Sequence, residues 1–161
     1  MKTYISVIAL TALLAACNPA KTDVAVPTAE EAAKIVDAAE ASFTSGDSAK
    51  IMANYVPDAV FFDPGYNDPT NDRATATKWT DGFVALKPTA FSPGNRMLQV
   101  IDASTIISSG VGTMDITGPK GPEKSHMRYT DVYRKQADGS WLIVHEHLSN
   151  PPQPAAAAAA E

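Results

Sequence analysis

The hydrophobic positions follow a helical spacing in the first half of the chain and a strand pattern in the second. Apolar residues recur three and four positions apart from Ala32 to Phe43, which is typical of one helix face. From Arg96 onward the sequence is rich in Val, Ile and Thr, which favour a pleated, half-buried surface. Helices first and strands later indicate an α+β domain with an antiparallel sheet.

Three helices are predicted, each preceded by a residue suited to cap its first turn. Thr28 and Glu31 form a capping-box pattern, in which each side chain satisfies a free N–H group of the first helix. Asp47 and Asp72 stand before the second and third helices, where a carboxylate caps well. Trp79 falls at helical spacing in the third helix, so a simple core role is the alternative to any binding role.

Helix ends and loops follow from proline and glycine. The second helix is expected to end at Pro57, with Tyr55 on its buried side. A short strand over residues 59–63 follows it. Turn-forming residues predict loops over residues 64–72 and 88–94.

Four strands in a meander are expected after the third helix. They cover residues 97–102, 105–117, 126–135 and 140–149. The turn between the last two contains Asp138-Gly139, a strong hairpin signal because both residues tolerate positive φ. Gly110 and Gly112 indicate a bulge or bend in the second of these strands.

Residues 1–16 predict a signal peptide. Lys2 supplies a positive start, and residues 4–16 are almost wholly apolar or small. This run is too short to span a membrane as a helix and has the length of a signal-peptide core. Residues 1–16 are therefore excluded from the folded domain.

The apolar run ends in Leu14-Ala15-Ala16-Cys17, which resembles the lipobox of bacterial lipoproteins. The resemblance implies cleavage before Cys17 and a lipid on that cysteine, which would attach the protein to a membrane of the bacterial cell envelope. Asn18 rather than Asp follows the cysteine. By resemblance to bacterial sorting, this favours the outer membrane, facing the periplasm. An ordinary secretory signal with an incidental cysteine is the alternative.

The remaining boundaries follow from composition. Residues 17–27 carry two prolines and no helical period, which predicts a flexible linker after the lipidated cysteine. The folded domain is expected to span residues 28–152. Residues 153–161 form an Ala-rich tail to which no function is assigned.

Composition and charge narrow the class of partner. The 161 residues suit one domain with a real hydrophobic core. A net charge of −5 argues against nucleic acid as a partner. Cys17 is the only cysteine, so no intramolecular disulfide can form.

Two parts of the sequence resemble SnoaL-like domains of the nuclear transport factor 2-like superfamily. Residues 43–47 followed by 55–63 are similar to the first helical pair and strand of such domains, and residues 129–135 followed by 138–149 are similar to their closing hairpin. The resemblance covers residues 28–152. It implies a cone-like α+β fold, with three N-terminal helices packed on a strongly bent, mostly antiparallel sheet. It also implies a pocket at the open end, a homodimer through the exposed sheet face, and no metal or organic cofactor.

The last strand offers two faces to such a pocket. Side chains alternate along a strand, so Trp141, Ile143, His145 and His147 share one face. This face is expected to point inward, because Trp141 has the largest apolar surface to bury. A bulge near residue 145 would instead turn Glu146 and Leu148 inward.

Candidate catalytic residues are Asp131, His147 and Asp63. A carboxylate beside an imidazole favours the charged ring and could move a proton at a carbon next to a carbonyl. Asp63 would add a second carboxylate. Related enzymes imply such chemistry at Asp131 or Asp63, without a cofactor.

Candidate ligand-binding residues are Tyr55, Trp79, Tyr129 and His145. The two tyrosines could donate hydrogen bonds to a developing oxyanion.

Plainer roles remain open for these residues. The His145–His147 pair could satisfy buried hydrogen bonds, or bind a metal from one strand face, although the sequence shows no third ligand. Asp131 could bridge strands or pair with Arg96 or Arg128. Asp63, before Pro64-Gly65, is typical of a turn.

The sequence therefore predicts an envelope lipoprotein whose domain binds a small organic molecule between helices and sheet. One alternative is a cofactor-free isomerase, cyclase or hydrolase using the Asp131–His147 pair. Another is a module that docks a partner protein on the sheet or in the cone; a cavity filled by large apolar side chains would favour it. The sequence alone assigns no enzymatic activity.

We expect Cys17→Ser to abolish lipid attachment, because a hydroxyl cannot replace the thiol that carries the lipid. Detergent phase partition of the expressed protein measures this: the wild type should enter the detergent phase and the variant should not. A variant that still behaves as a mature lipoprotein would contradict the lipobox interpretation.

Overall fold

A computed structural model describes residues 25–152. The predicted signal peptide, the lipidation site Cys17 and the Ala-rich tail therefore lie outside the described residues. Within residues 25–152, no helix is both long and apolar enough to cross a bilayer.

The helices are α1 (Ala29–Glu40), followed by a 3₁₀ turn (Ala41–Thr44), α2 (Ser48–Met52) and α3 (Arg73–Ala85). The strands are β1 (Tyr55–Phe62), β2 (Thr89–Asp102), β3 (Thr105–Gly118), β4 (Gly121–Lys135) and β5 (Trp141–Ser149).

The three predicted helix starts are confirmed. Glu31 N donates to Thr28 Oγ1 at 3.2 Å and Thr28 N donates to Glu31 Oε2 at 2.8 Å, which completes the capping box of α1. Asp47 accepts from the N–H groups at the start of α2, and Asp72 Oδ2 accepts from Thr75 N at 3.0 Å. Each cap fixes where the chain enters the helical layer.

The expected end of the second helix is wrong. Helix α2 ends at Met52, and Tyr55 begins β1 instead of lying on a helix face. The Asn54 side chain donates to the carbonyls of Lys50 and Ile51, which satisfies the exposed end of the helix. Pro57 fits because β1 is an edge strand, where a missing N–H does not break a ladder.

The sheet has five strands in the order β1-β5-β4-β3-β2. Strands β2 to β5 form the predicted antiparallel meander, and β1 pairs in parallel with β5. The helices pack on one face of this curved sheet, so the predicted cone-like α+β fold is confirmed. The core lies between the layers, with Val36, Ile106, Tyr133 and Ile143 almost fully buried.

Strand β2 begins at Thr89, inside the region expected to be a loop. Its irregular start explains the error, because Ala90 and Asn95 have positive φ and the pairing with β3 slips twice before Met97. The bulge expected at Gly110 lies on β2, opposite that glycine, since β3 pairs with β4 without a slip.

One pairing slip in β5 determines which side chains point inward. Tyr133 pairs with Ile143, but Val132 pairs with His145, so Val144 is an extra residue on β5. Alternation restarts after it, and Ile143 and Glu146 both face the helices. The predicted inward face therefore holds before the bulge and is wrong after it.

A buried ion pair joins α1 to the sheet. Glu40 is 4% exposed at the end of α1, and Arg96 on β2 donates to its Oε2 at 3.0 Å. Arg96 also donates to the exposed Asp37. Because burying a lone carboxylate is unfavourable, this contact fixes how α1 sits on the sheet.

We expect Arg96→Met to lower the free energy of unfolding by about 3 kcal/mol at pH 7, because it leaves Glu40 buried without its partner. Lys124→Met is the matched control, since it breaks an exposed pair whose side chains are 67% and 48% accessible. It should cost less than about 1 kcal/mol. Urea denaturation measures both. Equal losses would contradict the assigned role of the buried pair.

Candidate functional site

The helices and the curved sheet enclose a cavity of about 120 Å³ that opens to solvent on one side. Aromatic rings form much of its wall, from Phe43, Trp79, Phe83 and Phe91. Pro64, which is exposed, marks the rim. A largely apolar recess with a few polar groups is the usual form of a small-molecule site.

The polar floor of this cavity is a row of residues that crosses the sheet. Asp131 on β4 pairs with Glu146 on β5 and with Ser108 on β3. Glu146 in turn pairs with Phe61 on β1. Because paired residues on neighbouring strands point to the same face, the register brings the two carboxyl groups together on the inner side.

Asp131 is a buried carboxyl in the cavity wall. It is 2% exposed, and its Oδ1 has no hydrogen-bond partner among residues 25–152. The hydroxyl groups of Ser108 and Tyr133 are likewise buried and unpartnered in this part of the chain. Buried polar atoms are normally satisfied, and of these three residues Asp131 lines the cavity. Its carboxyl therefore indicates where a ligand or water can complete the hydrogen bonds.

Glu146 accepts a hydrogen bond of 2.5 Å from the Tyr55 hydroxyl. Burial raises the pKa of Glu146 to about 7, against the opposing effect of the Tyr55 hydrogen bond, and Asp63 raises it further. Burial, together with the carboxyls of Glu146 and Glu40, raises the pKa of Asp131 well above its usual range. The floor can therefore hold protons near neutral pH, as an acid–base site requires.

Glu40 and Tyr129 form a second polar group on the cavity wall. The Tyr129 hydroxyl donates to Glu40 Oε1 at 3.4 Å, and Arg96 holds the other oxygen. Burial raises the pKa of Glu40, and Arg96 opposes that rise. Burial and Glu40 raise the pKa of Tyr129 to about 12, so it stays a donor.

Gly110 makes room for the Tyr129 ring. A Cβ at Gly110 would lie 2.9 Å from the Tyr129 hydroxyl oxygen. Gly112 does the same for Phe91, whose ring would lie 2.8 Å from a Cβ there. These glycines, which the sequence indicated as a bend, allow two aromatic rings of the cavity wall to lie close against β3.

The structure does not bring Asp131 and His147 together. His147 pairs with Thr130, and both His145 and His147 point away from the cavity, with ring centroids 6.1 and 5.2 Å from Phe62. The predicted orientation of these histidines is wrong, because the extra residue at Val144 turns Glu146 inward instead. Residues 25–152 contain no group of three His, Cys, Asp or Glu side chains placed to hold a metal ion.

Four other predicted residues do line the cavity: Tyr55, Asp63, Trp79 and Tyr129. Asp63 also accepts from Gly65 N at 2.8 Å, so it serves the turn that was its alternative role. Trp79 lies under the exposed Tyr66 ring, stacked at 4.1 Å. Their roles in binding or catalysis stay predictions.

Sequence analysis missed Glu40 and turned Glu146 inward only in the alternative that requires a bulge near residue 145, which is the arrangement that the structure shows. The burial of Glu40 could have been predicted, because it lies four residues after Val36 and eight after Ala32 on the buried face of α1. Glu146 could be placed only by the bulge before it. Asp131 pairs with neither Arg96 nor Arg128, since Arg96 is held by Asp37 and Glu40.

A cavity between helices and sheet, floored by polar residues of the closing hairpin, matches the arrangement implied by the resemblance. The SnoaL-like domain family matches residues 32–154. The protein belongs to the SnoaL-like family. No curated protein matches the sequence.

Solved structures share the fold of this SnoaL-like domain. A Xanthomonas campestris protein, provisionally named a calcium/calmodulin-dependent protein kinase II association domain, is 29% identical, with a TM-score of 0.71 over 80% of this chain and 91% of that one. The epoxide hydrolase/cyclase-like enzyme SalBIII is 18% identical, with a TM-score of 0.56 over 74% and 90%. An NTF2-like protein of unknown function from Pseudomonas putida is 19% identical, with a TM-score of 0.63 over 77% and 87%. Enzymes and association domains thus both use this fold.

We expect the free energy of unfolding of the SnoaL-like domain to fall as the pH rises from about 4.5 to about 7. In that window the unfolded chain has released the Glu146 proton, whereas the folded chain still holds it. One such group contributes at most about 1.4 kcal/mol per pH unit. Asp131 and Glu40 act in the same direction.

Chemical denaturation at a series of pH values measures this slope. Glu146→Gln should flatten it, because glutamine keeps the shape but does not titrate. Glu123→Gln, at an exposed site, should leave it unchanged. A stability that rises with pH through this window would contradict the assigned burial effect.

Proposed function

We propose that this protein binds a small organic molecule in the cavity between its helices and sheet. The observation that carries the proposal is the buried, unpartnered carboxyl of Asp131 at the floor of an aromatic-walled cavity that is open to solvent. A ligand that donates a hydrogen bond to Asp131 would satisfy a buried oxygen that has no partner within residues 25–152.

The cavity is large enough to hold a small organic molecule. Its volume of about 120 Å³ is close to the roughly 150 Å³ of a protein cavity that accepts benzene. Large apolar side chains do not fill it, which disfavours the alternative of a closed domain that serves only to dock a partner protein.

The proposal includes attachment to the cell envelope. Its support is the Leu14-Ala15-Ala16-Cys17 motif behind an apolar run, which resembles a lipobox. A lipid on Cys17 would hold the SnoaL-like domain at a membrane surface, with residues 18–27 as the tether. Asn18 favours the outer membrane, so the ligand would be met in the periplasm.

Self-association through the exposed sheet face is also part of the proposal. Phe62, Met97 and Ile101 are large apolar side chains that stay exposed. The neighbouring Leu98 and Val100 pack against the core, so alternation along β2 places Met97 and Ile101 on the other side of the sheet. A homodimer would cover them.

The second candidate function is cofactor-free acid–base catalysis. One observation favours it: Asp131 and Glu146 are paired on adjacent strands in the cavity, and burial raises the pKa of Glu146 to about 7. A group that titrates near neutral pH can both accept and return a proton. This carboxyl pair replaces the Asp131–His147 pair as the candidate machinery of an isomerase, cyclase or hydrolase.

We expect Leu148→Phe to weaken binding of benzyl alcohol roughly tenfold. Leu148 lines the cavity, so the larger side chain of phenylalanine would take up part of the volume that the ligand needs. Val26→Phe is the control, since Val26 is 58% exposed and lies outside both the cavity lining and the proposed dimer face. Saturation-transfer NMR with unlabelled protein measures both affinities.

A loss of affinity confined to Leu148→Phe supports binding in the cavity. Equal losses in the two variants would overturn the proposal of a cavity site. The same samples, incubated with candidate carbonyl compounds, separate the two functions. Bound molecules that are recovered unchanged support binding alone. Conversion that is lost in Asp131→Asn supports catalysis.

A further inference from the structure

Among residues 25–152, the side chains that line the cavity include acidic groups but no basic ones. Its titratable lining residues come from α1, β1, β4, β5 and the loop after β1, and they are Glu40, Tyr55, Asp63, Tyr129, Asp131 and Glu146. Helix α3 contributes Trp79, Thr80 and Phe83, which do not titrate. None of the described lining residues is Lys, Arg or His. Three carboxyl groups therefore share the enclosed part of the space, with Asp63 at its rim.

Only one of the three enclosed carboxyls has a cationic partner. Arg96 reaches Glu40 from β2, and its remaining ion pair is with Asp37 outside the cavity. Within the described residues, Glu146 has a single donor, the Tyr55 hydroxyl. Asp131 has an oxygen with no partner in residues 25–152 and is 2% exposed. Positive charge is thus missing at the floor, on Asp131 and Glu146.

The aromatic wall of the cavity also favours a positively charged ligand. Phe43, Trp79, Phe83 and Phe91 line the cavity above the carboxyl row. The faces of aromatic rings attract cations, and Trp does so best. The same rings also pack well against an apolar body. The wall and the floor therefore favour one ligand chemistry.

We propose that the cavity selects organic cations, with an ammonium or amidinium head that reaches Asp131 and Glu146 and an apolar body that lies against the aromatic wall. This inference rests on the proposed small-molecule binding. An anion would meet three carboxyls and no free basic side chain among the described lining residues. A neutral molecule would satisfy the hydrogen bonds but would not favour the ionised form of the carboxyls, so it would gain no charge interaction with them.

Binding of a cation would be linked to proton release. Without a cation beside them, burial raises the pKa of Glu146 to about 7 and raises that of Asp131, so both groups hold protons at mildly acidic pH. A cation beside them favours the ionised form and expels those protons. Affinity for a permanently charged head should therefore increase as the pH rises from about 6 to about 8.

The test compares three probes that share a phenyl ring: benzylamine, which is protonated near neutral pH, benzyl alcohol and benzoate. Isothermal titration calorimetry at pH 7 should show the amine binding about tenfold more tightly than the alcohol, as expected for one added charged hydrogen bond. Benzoate should bind most weakly. Repeating the amine titration in buffers of different ionisation enthalpy should show net proton release.

Two isosteric variants separate charge from folding. Glu146→Gln keeps an acceptor for Tyr55, so it should reduce the preference for the amine and the proton release while still binding the alcohol. Glu123→Gln, which changes an exposed carboxyl, should alter neither. Asp131→Asn provides a second variant at the floor, with Asp58→Asn as its exposed control.

The outcomes distinguish this inference from the function on which it rests. If the alcohol binds as tightly as the amine, or if benzoate binds best, selection of cations is overturned and small-molecule binding stands. If none of the three probes binds, the small-molecule function itself fails. Amine preference that persists in both Glu146→Gln and Asp131→Asn would also overturn the assignment to this floor.

Discussion

Side chains on a strand alternate between two faces, so a single extra residue in β5 decides what reaches the cavity. The pairing slip at Val144 lets Ile143 stay in the core and still brings Glu146 to the inner face. Without it, His145 and His147 would occupy the floor. The register of the backbone pairing is therefore the reason that a carboxyl group and not an imidazole reaches the cavity from β5. The two histidines lie on the outer surface, beside Phe62.

Placing carboxyls inside a fold is unfavourable unless something neutralises them. The protein does so in two ways. At Glu40 a fixed cation, Arg96, forms an ion pair that also fastens α1 to β2. At Asp131 and Glu146 residues 25–152 place no such cation, and the raised pKa values favour protonation in its place, while Tyr55 donates a hydrogen bond to Glu146. The ion pair holds the helical layer on the sheet, whereas protonation leaves two carboxyl groups whose charge can still change.

Features that depend on local chemistry were predictable. Thr28 and Asp72 identify helix starts because a cap needs only its own first turn. The meander followed from turn residues between apolar strands. The switch of Tyr55 from helix to strand was not predictable, because β1 exists only through its pairing with β5. Glu146 depends on a slip between two strands, which neither strand's pattern shows, and Glu40 is tolerated at a core position only because a basic side chain reaches it from a distant strand.

The two outer strands of the sheet show how this domain avoids uncontrolled polymerisation. Along β1, Pro57 removes one donor, and the backbone of Thr70 exchanges two hydrogen bonds with Phe61, which covers part of the free edge. Along β2, Pro93 and the positive φ of Asn95 interrupt the other edge. Because both margins are interrupted, a second chain would find fewer free N–H and C=O groups in regular succession, which disfavours strand-by-strand growth into fibres.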